Sequence, residues 1–470
     1  MATRTESRTS PQHPINGETL RAAVSGLIDA KIFSGLKVHG NTKWLPLDLI
    51  LLTIMWVWSD QKTLTGAFDG ARRWSLEVLK RVAVSTYQGL LGALETWTDT
   101  LLPLVREQLH ARMQARGGVH WRIGLWVAFA VDGTRVSTPR SKANEEAFCA
   151  PRYGQSAMAK YRRKKRKKDK KRYRLSSKKV RPVKPQIWLT LMWHMGLRLC
   201  WTWRTGPSTA SERDHFQQML KDEKFPENSL FCCDAGFTGY ELWKLMQDRG
   251  HGFVIRVGAN VALLRKLGYV KEKPGLVYFW PDRMAKRKQP PLVLRLFSLK
   301  VGRCQMWLVS NVLKEEQLSD REAVELYRRR WGVEVQIRAL KQTFGRGQLR
   351  CETPARALVE LHWSLVGLWV IQLFAVEKQV EVGTVPDRCS VSLAIGIVRS
   401  IMERWWEYRE LSFAEDLRGA MTDGYKRTSS KKARYRPENL KDRPKAGKPK
   451  ILIAKRKHKQ LLKLMPKCAA

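Results

Sequence analysis

The sequence predicts a mixed α/β fold, and three observations support that class. A continuous apolar run from Leu125 to Val131 has the character of a buried strand. The segment from Leu230 to Val257 alternates a short apolar strand, a helical pattern and a second strand, as an open α/β sheet does. Long helical patterns rich in Trp and Leu flank both segments. A chain of 470 residues can bury such a core and several smaller units.

The N-terminal region is predicted to be helical after a short polar tail. Residues 1–17 have no apolar signal core, so we expect a flexible tail. Helical patterns dominate residues 18–117, where Ser85 is a candidate cap for a helix beginning at Thr86. These helices are compatible with a helix-turn-helix DNA-binding domain. They are equally compatible with a helical bundle that binds no DNA, because no base-contacting residue can be identified.

Two apolar strand patterns between residues 118 and 259 end on acidic residues. The run from Leu125 to Val131 ends on Asp132-Gly133, and the run from Leu230 to Cys233 ends on Asp234. We expect both acids at the carboxyl edge of the sheet, where sites in such sheets tend to form. An Asp-Gly pair also closes hairpins, so Asp132 alone is weak evidence. Asp169 and Asp214 are conceivable substitutes for it.

A basic segment, a hairpin and a capped helix are predicted between these two acids. The basic segment, residues 160–185, is of low complexity, and we expect it to be flexible and to hold phosphate backbone. Strand patterns at Gln186 to His194 and Leu197 to Arg204 are close enough to form a hairpin. Ser211 is predicted to cap a helix that runs to Lys221.

A lone acid lies in the basic and aromatic stretch from Leu326 to Gly345. From Arg328 to Arg350, Glu334 is the only acidic residue among seven Lys or Arg. On a single helix, which advances about 100° per residue, an apolar face adjoins one narrow polar stripe made of Tyr327, Arg330, Glu334 and Lys341. Most such stripes are solvated faces. A lone carboxylate in a cationic field is instead well placed to hold a metal ion beside phosphate.

Composition narrows the classes of partner. Lys and Arg exceed Asp and Glu by 87 − 43 = 44, which predicts attraction to a polyanion, most simply nucleic acid. A membrane surface, or solubility alone, is the alternative. Apolar runs at Leu49 to Trp58 and Ser364 to Val376 are too short to span a bilayer and are predicted to be buried helices. Eight cysteines without CxxC spacing predict reduced thiols and no zinc site.

Two motifs resemble those of the IS4-like DDE transposases of bacterial insertion sequences. The spacing Tyr-x2-Arg-x3-Glu-x6-Lys matches the YREK signature of that family at Tyr327, Arg330, Glu334 and Lys341. Asp234-Ala-Gly236-Phe237 matches its second-aspartate box. The segment around Asp132 is the least specific of the three. No nucleotide-binding GxxxxGK[ST] loop, GxSxG elbow or HExxH zinc helix is present.

The resemblance implies an RNase H-like catalytic core formed by 118–259 and 314–350, with a β-rich insertion at 260–313. It implies a catalytic triad of Asp132, Asp234 and Glu334 that also holds the metal. Three carboxylates are suited to Mg²⁺ or Mn²⁺, and two such ions can meet the needs of phosphodiester chemistry. The implied activity is DNA cleavage and strand transfer at terminal inverted repeats. The implied active form is a homodimer bound to double-stranded DNA. The implied location is the bacterial cytoplasm, at the nucleoid and not at a membrane.

The remaining candidate residues are assigned to DNA contacts. Tyr327, Arg330, Lys341 and Arg338 are expected to contact phosphates, Arg by paired hydrogen bonds and Lys as a point charge. Trp280, in the insertion, is either a base-stacking residue or a core residue. Two alternatives to a transposase stay open: a metal-dependent nuclease that does not join DNA, and a non-catalytic basic nucleic-acid-binding protein.

The C-terminal part is predicted to be helical and then basic. Residues 351–420 contain helical patterns at Ala355 to Val376 and Ser390 to Tyr408, which we expect to support the core. Residues 421–470 are rich in Lys, Arg and Pro and are predicted to form a basic tail.

Overall fold

The computed structural model describes residues 16–37, 42, 44–81, 84–149, 184–301, 304–404, 413–422 and 447–464. Nearly all of the predicted flexible tail, almost the whole basic segment 160–185 and about three fifths of the predicted basic tail lie outside these ranges. The predictions made for those segments therefore fall outside the described residues.

A ten-stranded mixed sheet is the centre of the fold, which confirms the predicted α/β class. Its order is β10-β6-β7-β8-β9-β5-β4-β1-β2-β3. The strands are β1 (Val127–Ser137), β2 (Gln186–His194), β3 (Leu199–Gly206), β4 (Ser229–Cys233), β5 (Gly252–Val257), β6 (Ala262–Arg265), β7 (Leu276–Phe279), β8 (Leu292–Val301), β9 (Cys304–Ser310) and β10 (Lys450–Ile453). The first three strands pair antiparallel, whereas β4 runs parallel to β1 and β5 runs parallel to β4.

Helices cover the sheet and build the N- and C-terminal parts. They are α1 (Asn16–Ser25), α2 (Pro46–Trp58), α3 (Leu64–Trp74), α4 (Tyr87–Arg116), α5 (Lys142–Phe148), α6 (Glu212–Asp222), α7 (Tyr240–Asp248), α8 (Asp282–Lys286), α9 (Asp320–Arg329), α10 (Gly332–Arg338), α11 (Pro354–Val380), α12 (Val391–Glu403), α13 (Phe413–Arg418) and α14 (Arg456–Lys463). Ser211 caps α6 as predicted. The cap of α4 is Thr86, and not Ser85, because the Thr86 side chain accepts the Gly89 N–H.

The first predicted strand was wrong at its end. It does not stop at Asp132 but continues as β1 to Ser137. The reason is that β1 has two neighbouring strands of different length. Its parallel neighbour β4 ends at Cys233, whereas its antiparallel neighbour β2 pairs with β1 without interruption from Phe129 to Ser137. Asp132 therefore lies within a strand, at the point where the neighbouring strand ends, and Asp132-Gly133 closes no hairpin.

The single helix predicted across Leu326 to Gly345 was also wrong. The chain forms α9, breaks at Arg330 and Trp331, resumes as α10, and ends in a π-helical turn, Ala339–Thr343. The predicted apolar face is nevertheless confirmed, since each of its members is at most 8% exposed: Leu326, Val333, Ile337, Leu340 and Phe344.

The insertion and the end of the chain extend the central sheet. Strand β9 pairs with β5, so the β-rich residues 260–313 continue the same sheet and do not form a separate one. The predicted basic tail contains a strand, β10, that pairs parallel to β6, and a helix, α14, that packs on α8. Backbone pairing with a distant strand gave this segment a structure that its composition did not indicate.

Helix α11 is the central helix of the C-terminal part. It packs on α2, α4, α12 and α13. Its 27 residues are long and apolar enough to cross a membrane by length and composition, but 94% of its most apolar window is buried inside the protein. The run from Ser364 to Val376 is thus part of a longer, buried core helix.

Candidate active site

Asp132 and Asp234 are neighbours across two parallel strands. Strands β1 and β4 pair with Ala130 opposite Cys232, so two residues further on the register sets Asp132 beside Asp234. Side chains two residues apart on a strand point to the same face, and neighbouring strands lie about 4.8 Å apart. Each carboxylate is fixed by a backbone N–H: Gly133 donates to Asp132 Oδ1 (2.9 Å) and Gly236 donates to Asp234 Oδ1 (2.7 Å).

Helix α10 brings Glu334 to the same edge of the sheet. It packs against β1 and β2, and this close approach depends on Gly332. A Cβ on Gly332 would lie 2.0 Å from Cη2 of Trp193, a buried residue of β2. Glu334 follows two residues later, half-buried, and its charge raises the pKa of Asp132. Three carboxylates from distant parts of the sequence therefore share one site.

Arg330 is the cation of this site. Its Nη2 donates to Glu334 Oε1 (3.0 Å), and its guanidinium lies 5.6 Å from the ring centroid of Tyr327. Only 12% of the Arg330 side chain is exposed. Its positive charge lowers the pKa of Asp132, whereas burial and the charges of Glu334 and Asp234 raise it. Tyr327, Arg330 and Glu334 are thus brought together, as the YREK spacing predicts.

Lys341 and Arg338 are not joined to that group by a described contact. Lys341 lies in the π-helical turn and is half-buried, and burial lowers its pKa. Arg338 is exposed at the end of α10. The assignment of Lys341 and Arg338 to phosphate contacts therefore stays a prediction.

Trp280 is enclosed in this structure. It is 3% exposed, its indole N–H donates to the Gln289 carbonyl (2.7 Å), and its ring lies 6.4 Å from that of His458 in α14. A base could not stack on it in this arrangement. The burial favours the alternative, a core tryptophan.

Glu212 is a site residue that the sequence analysis missed. It is the first residue of α6, and its carboxylate lies against both glycines that follow the two aspartates. A Cβ on Gly133 would be 2.5 Å from Glu212 Oε2, and one on Gly236 would be 3.0 Å from Glu212 Oε1. The signal in the sequence was slight: an acid directly after a helix cap, with no motif around it. Asp214, by contrast, is exposed on the same helix.

Comparison with known proteins identifies the family. The profile of the transposase DDE domain family matches residues 127–370, which is more than half of the chain and contains all three carboxylates. The chain belongs to the transposase DDE domain family. The resemblance to IS4-like DDE transposases is thereby confirmed.

One relative and one solved structure illustrate the range of similarity to other transposases. The chain is 24% identical over 229 residues to the transposase InsG for insertion sequence element IS4 of Escherichia coli K12; the match spans 46% of this chain and 51% of that protein. It therefore covers about half the length of the relative. The cryo-EM structure of the piggyBac transposase synaptic complex with hairpin DNA is 13% identical, covers 88% of this chain and 86% of that one, and has a TM-score of 0.36. That likeness is too weak to support a conclusion.

Two carboxyl groups of this DDE domain, those of Asp132 and Glu212, lie in surroundings that favour their neutral forms. Burial raises the pKa of Asp132 to about 6, and burial together with the charges of Asp234 and Asp132 raises the pKa of Glu212 to about 7. Carboxylates with raised pKa values and few nearby cations are expected to attract a positive ion.

These shifts predict how the stability of the metal-free protein depends on pH. In the unfolded chain both acids lose their protons near pH 4, whereas in the folded chain Asp132 keeps its proton to about pH 6 and Glu212 to about pH 7. The folded state binds more protons between these values, so their contribution to stability is lost as pH rises from about 4 to about 7. Thermal unfolding in chelator should show this decline, and it should be shallower in Asp132→Asn. If the unfolding temperature fell equally steeply with pH in the wild-type protein and in Asp132→Asn, the raised pKa of Asp132 would be contradicted.

Proposed function

We propose that this transposase cleaves DNA at the ends of an insertion sequence and joins those ends to a target, with Asp132, Asp234 and Glu334 as the catalytic carboxylates. One observation carries the proposal: β1 and β4 set two aspartates side by side, and α10 brings a glutamate whose charge acts on the first of them. Convergence of three acids from positions about 100 residues apart is not expected of an ordinary solvated surface.

An RNase H-like catalytic core is part of this proposal. The strand order β3-β2-β1-β4-β5, with three antiparallel strands followed by two parallel ones, supports it. In this arrangement 118–259 and 314–350 provide the core, and 260–313 is an insertion that lengthens the sheet. Both aspartates then belong to the central pair of strands, β1 and β4.

The donor set fits a hard divalent cation. Carboxylate oxygens are the ligands that Mg²⁺ and Mn²⁺ prefer, and Asp132, Asp234 and Glu334 would hold one or two such ions. When bound, the ions would neutralise phosphate charge and activate an attacking hydroxyl or water. In the described part of the chain, no three acidic, His or Cys side chains lie close enough to coordinate one ion as they stand. Glu334 is engaged with Arg330 instead, so binding requires these side chains to rotate.

Arg330 is proposed to contact a phosphate of the DNA. Its Nε is buried and has no hydrogen-bond partner among the described residues, so one donor of the planar group is unsatisfied. Guanidinium groups bind phosphate oxygens through paired hydrogen bonds. Arg330 would exchange Glu334 for phosphate, while the Tyr327 ring supports its guanidinium. Lys341 and exposed Arg338 are proposed as further phosphate contacts.

Double-stranded DNA is the proposed partner, bound by a homodimer. The net charge of +44 supports a polyanionic partner. The relative InsG is named as the transposase of an insertion sequence, which supports transposon ends as the substrate. DNA recognition by the N-terminal helices of 18–117 is also proposed, and so is salt-sensitive backbone binding by the basic segment.

Replacement of each triad residue is the test of this function. Asp132→Asn, Asp234→Asn and Glu334→Gln should each lower Mg²⁺-dependent cleavage of transposon ends by at least about 100-fold, because loss of even an outer partner of a metal ligand costs 10- to 100-fold. DNA binding, measured by gel shift in chelator, should remain. Asp214→Asn, an exposed acid near the site, is the matched control and should cleave normally. A variant that still cuts removes that residue from the triad.

A joining assay separates the transposase from a nuclease with the same site. Pre-cut ends and a supercoiled target plasmid are incubated with the wild-type protein and Mg²⁺. Joined products are expected. Cleavage of intact ends without joining would support a metal-dependent nuclease, and binding without either reaction would support a non-catalytic DNA-binding protein.

A further inference from the structure

Glu212 occupies a position that the proposed triad does not account for. Ser211 accepts the Asp214 N–H (3.3 Å) and starts α6 there, and α6 packs on β1, β2 and β3. The first residue of the helix is thereby held above the edge of the sheet where Asp132 and Asp234 lie. It is half-buried.

Two glycines make room for the Glu212 carboxylate. Gly133 directly follows Asp132, and a Cβ there would lie 2.5 Å from Glu212 Oε2 and 3.1 Å from Glu212 Cβ. Gly236 follows Asp234 by two residues, and a Cβ there would lie 3.0 Å both from Glu212 Oε1 and from Asp234 Oδ1. Glu212 Oε1 and Asp234 Oδ1 are therefore no more than 6.0 Å apart, which is the sum of their distances from that Cβ. Any larger residue at either glycine would fill the space that the carboxylate takes.

Negative charges around Glu212 exceed positive ones, so a bound cation would be stabilised there. Among the described residues, no Lys or Arg forms an ion pair with Glu212, and Arg330 pairs with Glu334. Placing like charges together in a half-buried space is unfavourable. Glu212 therefore lies beside Asp132 and Asp234 with no side-chain counter-charge among the described residues.

We infer that Glu212 is a fourth carboxylate of the cation site, an oxygen donor beside Asp132 and Asp234. This inference rests on the proposed function. It has a specific consequence: the sheet and α6 together supply three carboxylates, so the protein can hold a divalent cation without DNA while Glu334 remains paired with Arg330. Rotation of the three side chains is part of the inference, because they do not converge on one point as they stand.

The test measures cation affinity in the absence of DNA. Mn²⁺ is titrated into full-length, DNA-free protein and free Mn²⁺ is followed by electron paramagnetic resonance. Glu212→Gln should weaken binding by about tenfold or more. Asp214→Asn removes the same charge from the same turn of α6 but from an exposed site, and should change affinity by less than about twofold because solvent screens that charge. Glu334→Gln should also bind nearly as well as wild type.

The outcomes separate this inference from the proposed function. If Asp132→Asn and Asp234→Asn weaken Mn²⁺ binding but Glu212→Gln does not, Glu212 is not a ligand and the proposed function stands. If none of the three weakens it, the cation site of the proposed function fails and this inference fails with it. If Glu334→Gln weakens binding as strongly as Glu212→Gln, the inferred order of engagement is wrong.

Thermal unfolding supplies a readout that does not depend on activity. In chelator, Glu212→Gln should unfold at the same temperature as wild type or a higher one, because one of three like charges is removed. Its stabilisation by Mn²⁺ should be smaller than that of wild type. A lower unfolding temperature in chelator together with an undiminished Mn²⁺ effect would mean that Glu212 is a structural residue, and would overturn the inference.

Discussion

Gly332→Ala is expected to destabilise the transposase by about 1–3 kcal/mol and to abolish DNA cleavage. The new methyl group would lie 2.0, 2.6 and 2.8 Å from three ring carbons of Trp193. That indole is rigid and 1% exposed, so it has no free space to move into. Overpacking of this kind usually costs about 1–3 kcal/mol. Helix α10 must then lift away from β2, and Glu334 moves with it.

A second glycine provides the control for this prediction. Gly92 lies in α4 with nothing within 4 Å of a Cβ, so Gly92→Ala should stabilise the protein by about 0.5–1 kcal/mol. Both variants are compared by urea unfolding and by end cleavage well below the unfolding temperature. Gly332→Ala with wild-type cleavage would show that α10 does not set the position of Glu334 through this contact.

The parts of the fold that could be predicted from sequence are those with local signals. β2 was predicted to the residue, and Ser211 was recognised as a cap because its hydroxyl accepts an N–H three residues on. Asp234 was correctly placed at a strand end because a buried parallel strand is a continuous apolar run, whereas the same signal ended β1 too early, at Asp132. The adjacency of the two aspartates, however, is a property of the β1–β4 register. Such pairing across about 100 residues leaves no trace in either segment.

The errors arose where distant contacts override a local pattern. The pattern around Glu334 is helical on both sides of the interruption at Arg330 and Trp331, so the local sequence does not reveal it, and neither does it reveal the close approach of Gly332 to the Trp193 indole. Glu212 was missed because its role depends on Gly133 and Gly236, which belong to two other elements. The end of the chain was predicted from composition, which cannot reveal a strand partner such as β6.

Glu360→Leu is expected to cost about 3–5 kcal/mol, the usual result of removing one partner from a buried ion pair. Glu360 is 0% exposed, and its Oε1 lies 3.6 Å from Nε of Arg346, which is itself 6% exposed at the side chain. Its Oε2 accepts the backbone N–H groups of Arg350 (2.8 Å) and Cys351 (3.1 Å). Leucine would leave Arg346 buried without a counter-charge and both N–H groups without an acceptor.

Loss of the Glu360 contacts should also affect the candidate active site, because the segment that Glu360 binds is hydrogen-bonded to β1. Gly347 O accepts the Ser137 N–H (3.1 Å), and the Leu349 N–H donates to Ser137 O (2.8 Å). These bonds join the end of β1, which carries Asp132, to the segment that follows the Glu334 helix. We therefore expect Glu360 to help fix the position of β1, which carries Asp132, relative to α10, which carries Glu334. End cleavage in Glu360→Leu should fall even at temperatures where the protein remains folded.

A double variant distinguishes the two causes of the loss. Replacing both partners of a buried ion pair by apolar residues is often nearly neutral, so Arg346→Leu added to Glu360→Leu should recover the part due to the unpaired charge. Recovery should be incomplete, because the N–H groups of Arg350 and Cys351 still lack an acceptor and the Arg350 guanidinium, whose Nε lies 3.7 Å from Glu360 Oε1, still lacks its counter-charge. Glu381→Gln, which breaks an exposed pair with Lys378, should cost less than about 1 kcal/mol. A urea-unfolding loss for Glu360→Leu no larger than that of Glu381→Gln would mean that the buried pair does not hold this segment in place.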